Sequence, residues 1–279
     1  MPLHGWPRPV TGWTPGSSWS DFTLSASAAA WPVSTVEVLA SLAILAGAAF
    51  AQGVFGLGFA MIATPLLALF LDYRAAVLLA AVPLLVLAGN WLVVNRHDLR
   101  HSGVSWQLLP GIVVGAVTGV WVHVALSERL SLLLLAALLA FSIALPWGLQ
   151  RFRTDVSMAA RRTAPLFGAL AGITESALNV GAPFMVMFGE LARLTRRQQL
   201  IALNLGFFFG KAVQVSLLSA SAWPVSPLPL ALGVMISLLF YRIGDRLAGH
   251  YPEETFRRLL AKFIGLMVLS LIARAATSS

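Results

Sequence analysis

The chain has 279 residues, of which 58% are hydrophobic and only 11% charged, against roughly 25% charged in an average soluble domain. That deficit, with a mean hydropathy of +0.82, excludes a water-soluble enzyme, a disordered tail and a nucleic-acid binder, in spite of a formal charge of +8. The absence of cysteine excludes disulfides, thiolate metal sites and cysteine nucleophiles.

Residues 1–35 carry only Arg8 and Asp21 as formal charges and are broken by Pro2, Pro7, Pro9 and Pro15. No apolar run precedes Ala26, so the stretch reads as an extracytoplasmic tail and not a secretory signal. Its tryptophans, Trp6, Trp13, Trp19 and Trp31, either rest in the headgroup layer or belong to an unanchored terminus.

From there on, hydrophobic runs bounded by charge or turn residues predict an all-α polytopic membrane protein. Residues 36–149 hold five segments: 36–52, 55–71, 75–95, 105–124 and 130–149. Residues 164–279 hold five more: 164–178, 180–191, 198–218, 228–241 and 255–274. About 20 residues are needed to cross a hydrocarbon core. The first two segments of each half fall short, so each such pair is either two short spans or one re-entrant hairpin. The linker 150–163 is basic, with Arg151, Arg153, Arg161 and Arg162.

Fourteen of the nineteen basic residues, from Arg96 to Lys262, fall on one face of this arrangement. Arg8, Arg74, Arg129 and Arg274 fall on the other, and Lys211 lies within a span. By the positive-inside rule the crowded face is cytoplasmic, which puts both termini outside and the linker inside. The location expected is the cytoplasmic membrane.

The halves correspond at an offset of about 123 residues, with Gly58 against Gly181 and Arg74 against Arg197, drifting to 125 at Gly119 and Gly244. Five segments give an odd number of reversals, so the second copy is expected inverted relative to the first. Inverted repeats with interrupted helices favour a transporter with its site near the midplane. The interruptions are Gln52 to Pro65, containing Gly53, Gly56 and Gly58, and Gly172 to Pro183, containing Glu175, Asn179 and Gly181. Asn179 reads as an N-cap and Pro183 as a first-turn residue of a new helix. Two broken-helix N-termini aimed at one central point would attract an anion. Close helix packing through small residues is the other reading of the glycines.

The glycine-rich break ending in Pro65, its echo Gly181-Ala182-Pro183, and the basic central linker resemble the sulfite exporter TauE/SafE family. Gly244-Asp245-Arg246 followed by Glu254-Thr255-Phe256-Arg257-Arg258 is similar to that family's closing segment. The resemblance covers about Val36 to Ala273 and implies transport of sulfite, sulfonates such as sulfoacetate, or other small anions.

Lys211 lies about 21 Å into its span at 1.5 Å per residue. A charge at that depth costs about 2.5–3.5 kcal/mol and needs a cavity or a partner. Asn204 and Gln214 share its helix face, whereas the first-half equivalents are Ala81, Ala88 and Trp91. Lys211 is therefore the expected anion ligand, with a structural ion pair to Glu175 as the alternative. Glu175 is also a candidate proton-coupling group. Gln52, Asn179, Gly56, Gly58 and Gly181, at the breaks, complete the expected substrate site. His123 reads as interfacial, and Asn95 to Asp98 as a solvated cytoplasmic loop.

No catalytic constellation, cofactor motif or metal-ligand set is present in the sequence. Gly53, Gly56 and Gly58 do not follow a strand, which excludes a dinucleotide loop. The expected partners are a small anion and the lipid bilayer, with no nucleic acid. An anion channel is the rival reading, and the oligomeric state is left open, a homodimer included.

Overall fold

The computed structural model describes residues 34–99, 103–149, 162–219, 227–248, 250 and 253–277. The tail before Ser34 and most of the central linker, with their expected positions, lie outside these residues. Ten helices of nine residues or more make up the described chain: α1 (Thr35–Phe55), α2 (Phe59–Leu67), α3 (Tyr73–Val94), α4 (Leu109–Ala125), α5 (Glu128–Leu149), α6 (Ala164–Leu178), α7 (Ala182–Leu191), α8 (Arg196–Ser219), α9 (Pro227–Leu247) and α10 (Glu253–Thr277). Two four-residue turns, Arg96–Leu99 and Gly103–Trp106, join α3 to α4. No strand occurs among the described residues.

Six helices, α1, α3, α5, α8, α9 and α10, are long and apolar enough to cross a membrane. The first segment thus corrects the sequence expectation. α1 runs for 21 residues, enough to span unaided, because Gln52 to Phe55 continue the helix that the glycines were expected to end. The second segment shrinks to nine residues in α2.

Helix starts follow local side-chain chemistry. Ser34 and Glu37 form a reciprocal capping box on α1, with Glu37 N donating to Ser34 Oγ (3.2 Å) and Ser34 N to Glu37 Oε2 (2.9 Å). Asp72 Oδ1 accepts from the backbone N of Arg74 and Ala75 at the start of α3. Thr195 and Gln198 exchange the same kind of bonds at the start of α8. Each such cap is worth about 1 kcal/mol, and Asp72 and Thr195 stand 123 residues apart.

The most intimate packing is backbone on backbone. A Cβ on Gly111, Gly115 or Gly119 of α4 would overlap the carbonyls of Pro165, Ala169 or Ile173 of α6. A Cβ on Gly53 of α1 would meet Tyr241 O and Asp245 N of α9, and one on Gly244 would meet Phe50 O. With no hydrophobic driving force between helices in lipid, such close approach is a main source of association. The registers run in the same sense along both pairs, so α1 is parallel to α9 and α4 to α6.

Two other pairs are antiparallel. On α3 and α8, Gly89 faces Phe208 while Trp91 faces Arg197. On α5 and α10, Glu128 bonds Arg274, and Ala140, Ile143 and Ala144 line a groove with Gly265 and Val268. The neighbour relations mostly map onto themselves when the first five helices are exchanged for the last five: α1–α9 for α6–α4, α3–α9 for α8–α4, α2–α10 for α7–α5. One exception matters for the site. α6 packs firmly on α8, and α1 makes no comparable contact with α3.

Candidate functional site

The exceptional α6–α8 contact is built around Lys211. α6 ends at Leu178, and the chain turns through Asn179, whose φ of 59° and ψ of 24° are left-handed. The first turn of α7 follows, with Gly181 at its N-cap and Pro183 just inside. Asn179 therefore closes α6 and does not start α7. It is among the few non-glycine residues that accept this conformation, and the turn frees its side chain for the interior.

Ending a helix inside the protein leaves carbonyls without intrahelical partners. Here side chains from three other helices donate to the last-turn carbonyls, of which Glu175 O also accepts from Asn179 N (3.0 Å). Lys211 Nζ donates to Glu175 O (2.9 Å), and Gln214 Nε2 donates to Ser176 O (2.8 Å). Ala177 O accepts from Tyr73 Oη (3.4 Å) and lies 3.1 Å from His123 Nδ1, a contact that requires the proton on Nδ1. His123 is 3% exposed, so it belongs to the core of the break and not to the interface expected from its position in the sequence. Alternation of hydropathy cannot reveal such a contact, because its partner is 54 residues away.

Lys211 Nζ is also bonded to Asn179 Oδ1 (2.5 Å) and Gln214 Oε1 (2.9 Å), and lies 2.7 Å from Glu175 Oε1. The structure thus forms the Lys211–Glu175 ion pair, with both side chains almost completely withdrawn from solvent (0% and 1% exposed). Oε1 is held by this charge contact with the ammonium, whose other partners are Glu175 O, Asn179 Oδ1 and Gln214 Oε1. Oε2 accepts from the backbone N of Gly181 (2.7 Å). Asn179 Nδ2 completes the network by donating to Thr64 Oγ1 (3.2 Å) on α2 and Val77 O (2.8 Å) on α3. A desolvated cation is tolerated only with such dense partnership, and breaking a buried pair from one side costs about 3–5 kcal/mol.

The first break repeats this construction without charge. Gly56 (φ 78°) closes α1 and Gly58 (φ 116°) precedes α2. Gln52 bridges them, with Nε2 donating to Gly56 O (3.1 Å) and Oε1 accepting from Phe59 N (3.1 Å). Gln52 and Glu175, Gly56 and Asn179, and Gly58 and Gly181 are each 123 residues apart. In both breaks the side chain near the end of the first helix reaches forward to a backbone N–H at the start of the next. The repeat offset pairs Gln52 with Glu175, but the two residue types differ in charge, and residue type alone does not signal that they make the same contact.

The two breaks meet α8 at different positions along its length. Gly56 packs against Leu200, and Glu175 against Gly210. These contacts lie ten residues, or about 15 Å, apart along α8. Asn204 sits between them, and its Nδ2 donates to Leu200 O of its own helix (2.8 Å) and not to the Lys211 cluster. Of the expected site residues, then, Lys211, Gln214, Asn179, Gly181 and Glu175 are gathered at one break. Gln52, Gly56 and Gly58 form the other.

A third polar cluster links α3 to α8 at their other ends. Arg197 Nε donates to Asp98 Oδ2 (3.0 Å), and its guanidinium also pairs with Asp98 and Asn95 Oδ1. Arg197 Cζ lies 5.2 Å from the Trp91 ring centroid. The stretch from Asn95 to Asp98 is thus a helical turn gripping Arg197 and not a free loop. Among the described residues, no three carboxylate or imidazole groups come together as a metal set.

Searches of curated proteins and of solved structures found no match. The family described as "Sulfite exporter TauE/SafE" does match, over residues 39–271, which takes in both breaks and all ten helices in whole or in part. A multi-pass membrane protein of helices, with its polar centre at two glycine-rich breaks, is what that match covers, and the chain belongs to the sulfite exporter TauE/SafE family.

Proposed function

We propose that this protein is a secondary transporter that carries a small oxyanion, of the sulfite or sulfonate class that includes sulfoacetate, across the cytoplasmic membrane by alternating access. The observation that carries the reading is Lys211, a cation without exposed surface beside the N-terminus of a half-helix in an apolar bundle. A purely structural role does not require it. The equivalent position in the first half is Ala88, and there α1 closes on Gly56 without any cation.

In this reading Lys211 supplies the charge, Gln214 and Asn179 supply amide partners, and Gly181 supplies a backbone donor. Gln52, Gly56 and Gly58 are the neutral counterpart at the other break, with Asn204 between the two along α8. Glu175, the carboxylate paired with Lys211, is the proton-coupling group in this reading. Residues 36–149 and 164–279 are inverted repeats about the 150–163 linker. The parallel pairs α1–α9 and α4–α6 and the antiparallel pairs α3–α8 and α5–α10 are what such an inversion requires. The linker then faces the cytoplasm, with both termini outside.

A channel would need a continuous path with weak sites; the closed surroundings of Lys211 favour a carrier. Proteoliposomes containing the purified protein are expected to accumulate labelled sulfite, saturably, against its gradient when a proton gradient is imposed. Non-saturating flux that only dissipates the anion gradient would contradict the carrier.

A further inference from the structure

The Glu175 side chain stands where a substrate would. Its carboxylate takes the Gly181 N–H at Oε2 (2.7 Å) and the Lys211 ammonium at Oε1 (2.7 Å). A half-helix N-terminus and a cation are the two donors that an oxyanion of two or three oxygens seeks. Oε1 is buried and held by its contact with the Lys211 ammonium.

Capping the half-helix does not demand this charge. At the first break Gln52 performs the same contact with a neutral amide, accepting from Phe59 N (3.1 Å), and no cation stands opposite because Ala88 replaces Lys211. The carboxylate and the ammonium thus occur together at the second break, where the first has Gln52 and Ala88. The charged and titratable groups facing Glu175 are Lys211 on α8 and, across the Ala177 carbonyl, Tyr73 on α3 and His123 on α4. Gly210 leaves room beside the Glu175 stem, since even a Cβ added there would lie 3.4 Å from Glu175 Cγ.

We propose that the Glu175 carboxylate is a resident anion that occupies the oxyanion position at the second break, and that an external oxyanion binds by displacing it. This rests on the anion-site reading above. Lys211 then stays paired throughout, to the carboxylate when no substrate is bound and to the substrate when the carboxylate has withdrawn. The empty carrier is held closed by its own side chain.

The test is titration of purified full-length protein in detergent with sulfite, and separately with methanesulfonate. The wild type, Glu175→Gln, Lys211→Met and the double variant are compared, with melting temperature and monodisperse elution as folding controls. A resident that holds the site 90–99% of the time weakens apparent affinity by about 10–100-fold. Glu175→Gln, which restores the side chain already present at Gln52, is therefore expected to bind at least about tenfold tighter, and the double variant to lose that gain. Folded Glu175→Gln with unchanged or weaker affinity overturns the resident-anion proposal alone, provided that wild-type binding falls with Lys211→Met. Wild-type binding indifferent to Lys211→Met overturns the anion-site reading and this proposal with it. If Glu175→Gln does not fold, Glu175→Ala is titrated with acetate. Restoration of its melting temperature by acetate, without effect on the wild type, supports the proposal, and the lack of it overturns it.

Discussion

At the residue scale, the centre of the molecule is decided by Asn179 more than by any glycine. Its left-handed backbone ends α6, and its amide then joins Lys211 and Gln214 on one side to Thr64 and Val77 on the other. Replacement by glycine keeps the backbone conformation and removes only the amide. Asn179→Gly is accordingly expected to fold but to lose about 1–3 kcal/mol for each buried hydrogen-bonding group left unpaired, read as a lower melting temperature in detergent, and to weaken anion binding. An unchanged melting temperature would mean that the amide network contributes nothing net. Lys211 itself was legible from the sequence, because a charge deep in an apolar run has few explanations. Of its partners, Glu175 was legible as the acid of the second break and Gln214 as a neighbour on the same helix face, but the bonds to Asn179 Oδ1 and to the Glu175 carbonyl were not. Glu175 and Asn179 lie 36 and 32 residues away on another element, and pattern along one helix carries no information about which face of a neighbour it meets.

At the scale of elements, hydropathy located all ten segments, and for α6 it gave the ends at Ala164 and Leu178. It misjudged α1 and α2, since a glycine can continue a helix, as Gly53 does, or reverse it, as Gly56 and Gly58 do. The difference lies in what surrounds each one. Gly53 is a helical residue that touches the α9 backbone, whereas Gly47, two turns earlier in α1, has nothing within 4 Å of a built Cβ. Gly53→Ala and Gly115→Ala are therefore expected to destabilise by about 1–3 kcal/mol through forced separation of helices, while Gly47→Ala is neutral or stabilising. Equal melting temperatures for the three variants would remove the argument that α1–α9 and α4–α6 are held by backbone approach.

At the scale of the whole molecule, the two halves differ most at the centre. The neighbour relations nearly interchange the halves, and the caps Asp72 and Thr195 and the bridges Gln52 and Glu175 keep the same spacing. Charge breaks the correspondence, because only the second half places a carboxylate and an ammonium at its break. Among the described residues, Lys211 is the one Lys or Arg buried within the bundle. In the proposed function this one cation carries the anion across the membrane. Labelled sulfite uptake into proteoliposomes by the wild type and by Lys211→Ala, both confirmed as monodisperse and helical, tests it most directly. The variant is expected to fall to the level of protein-free liposomes; uptake by Lys211→Ala at the wild-type rate would show that Lys211 does not carry the anion.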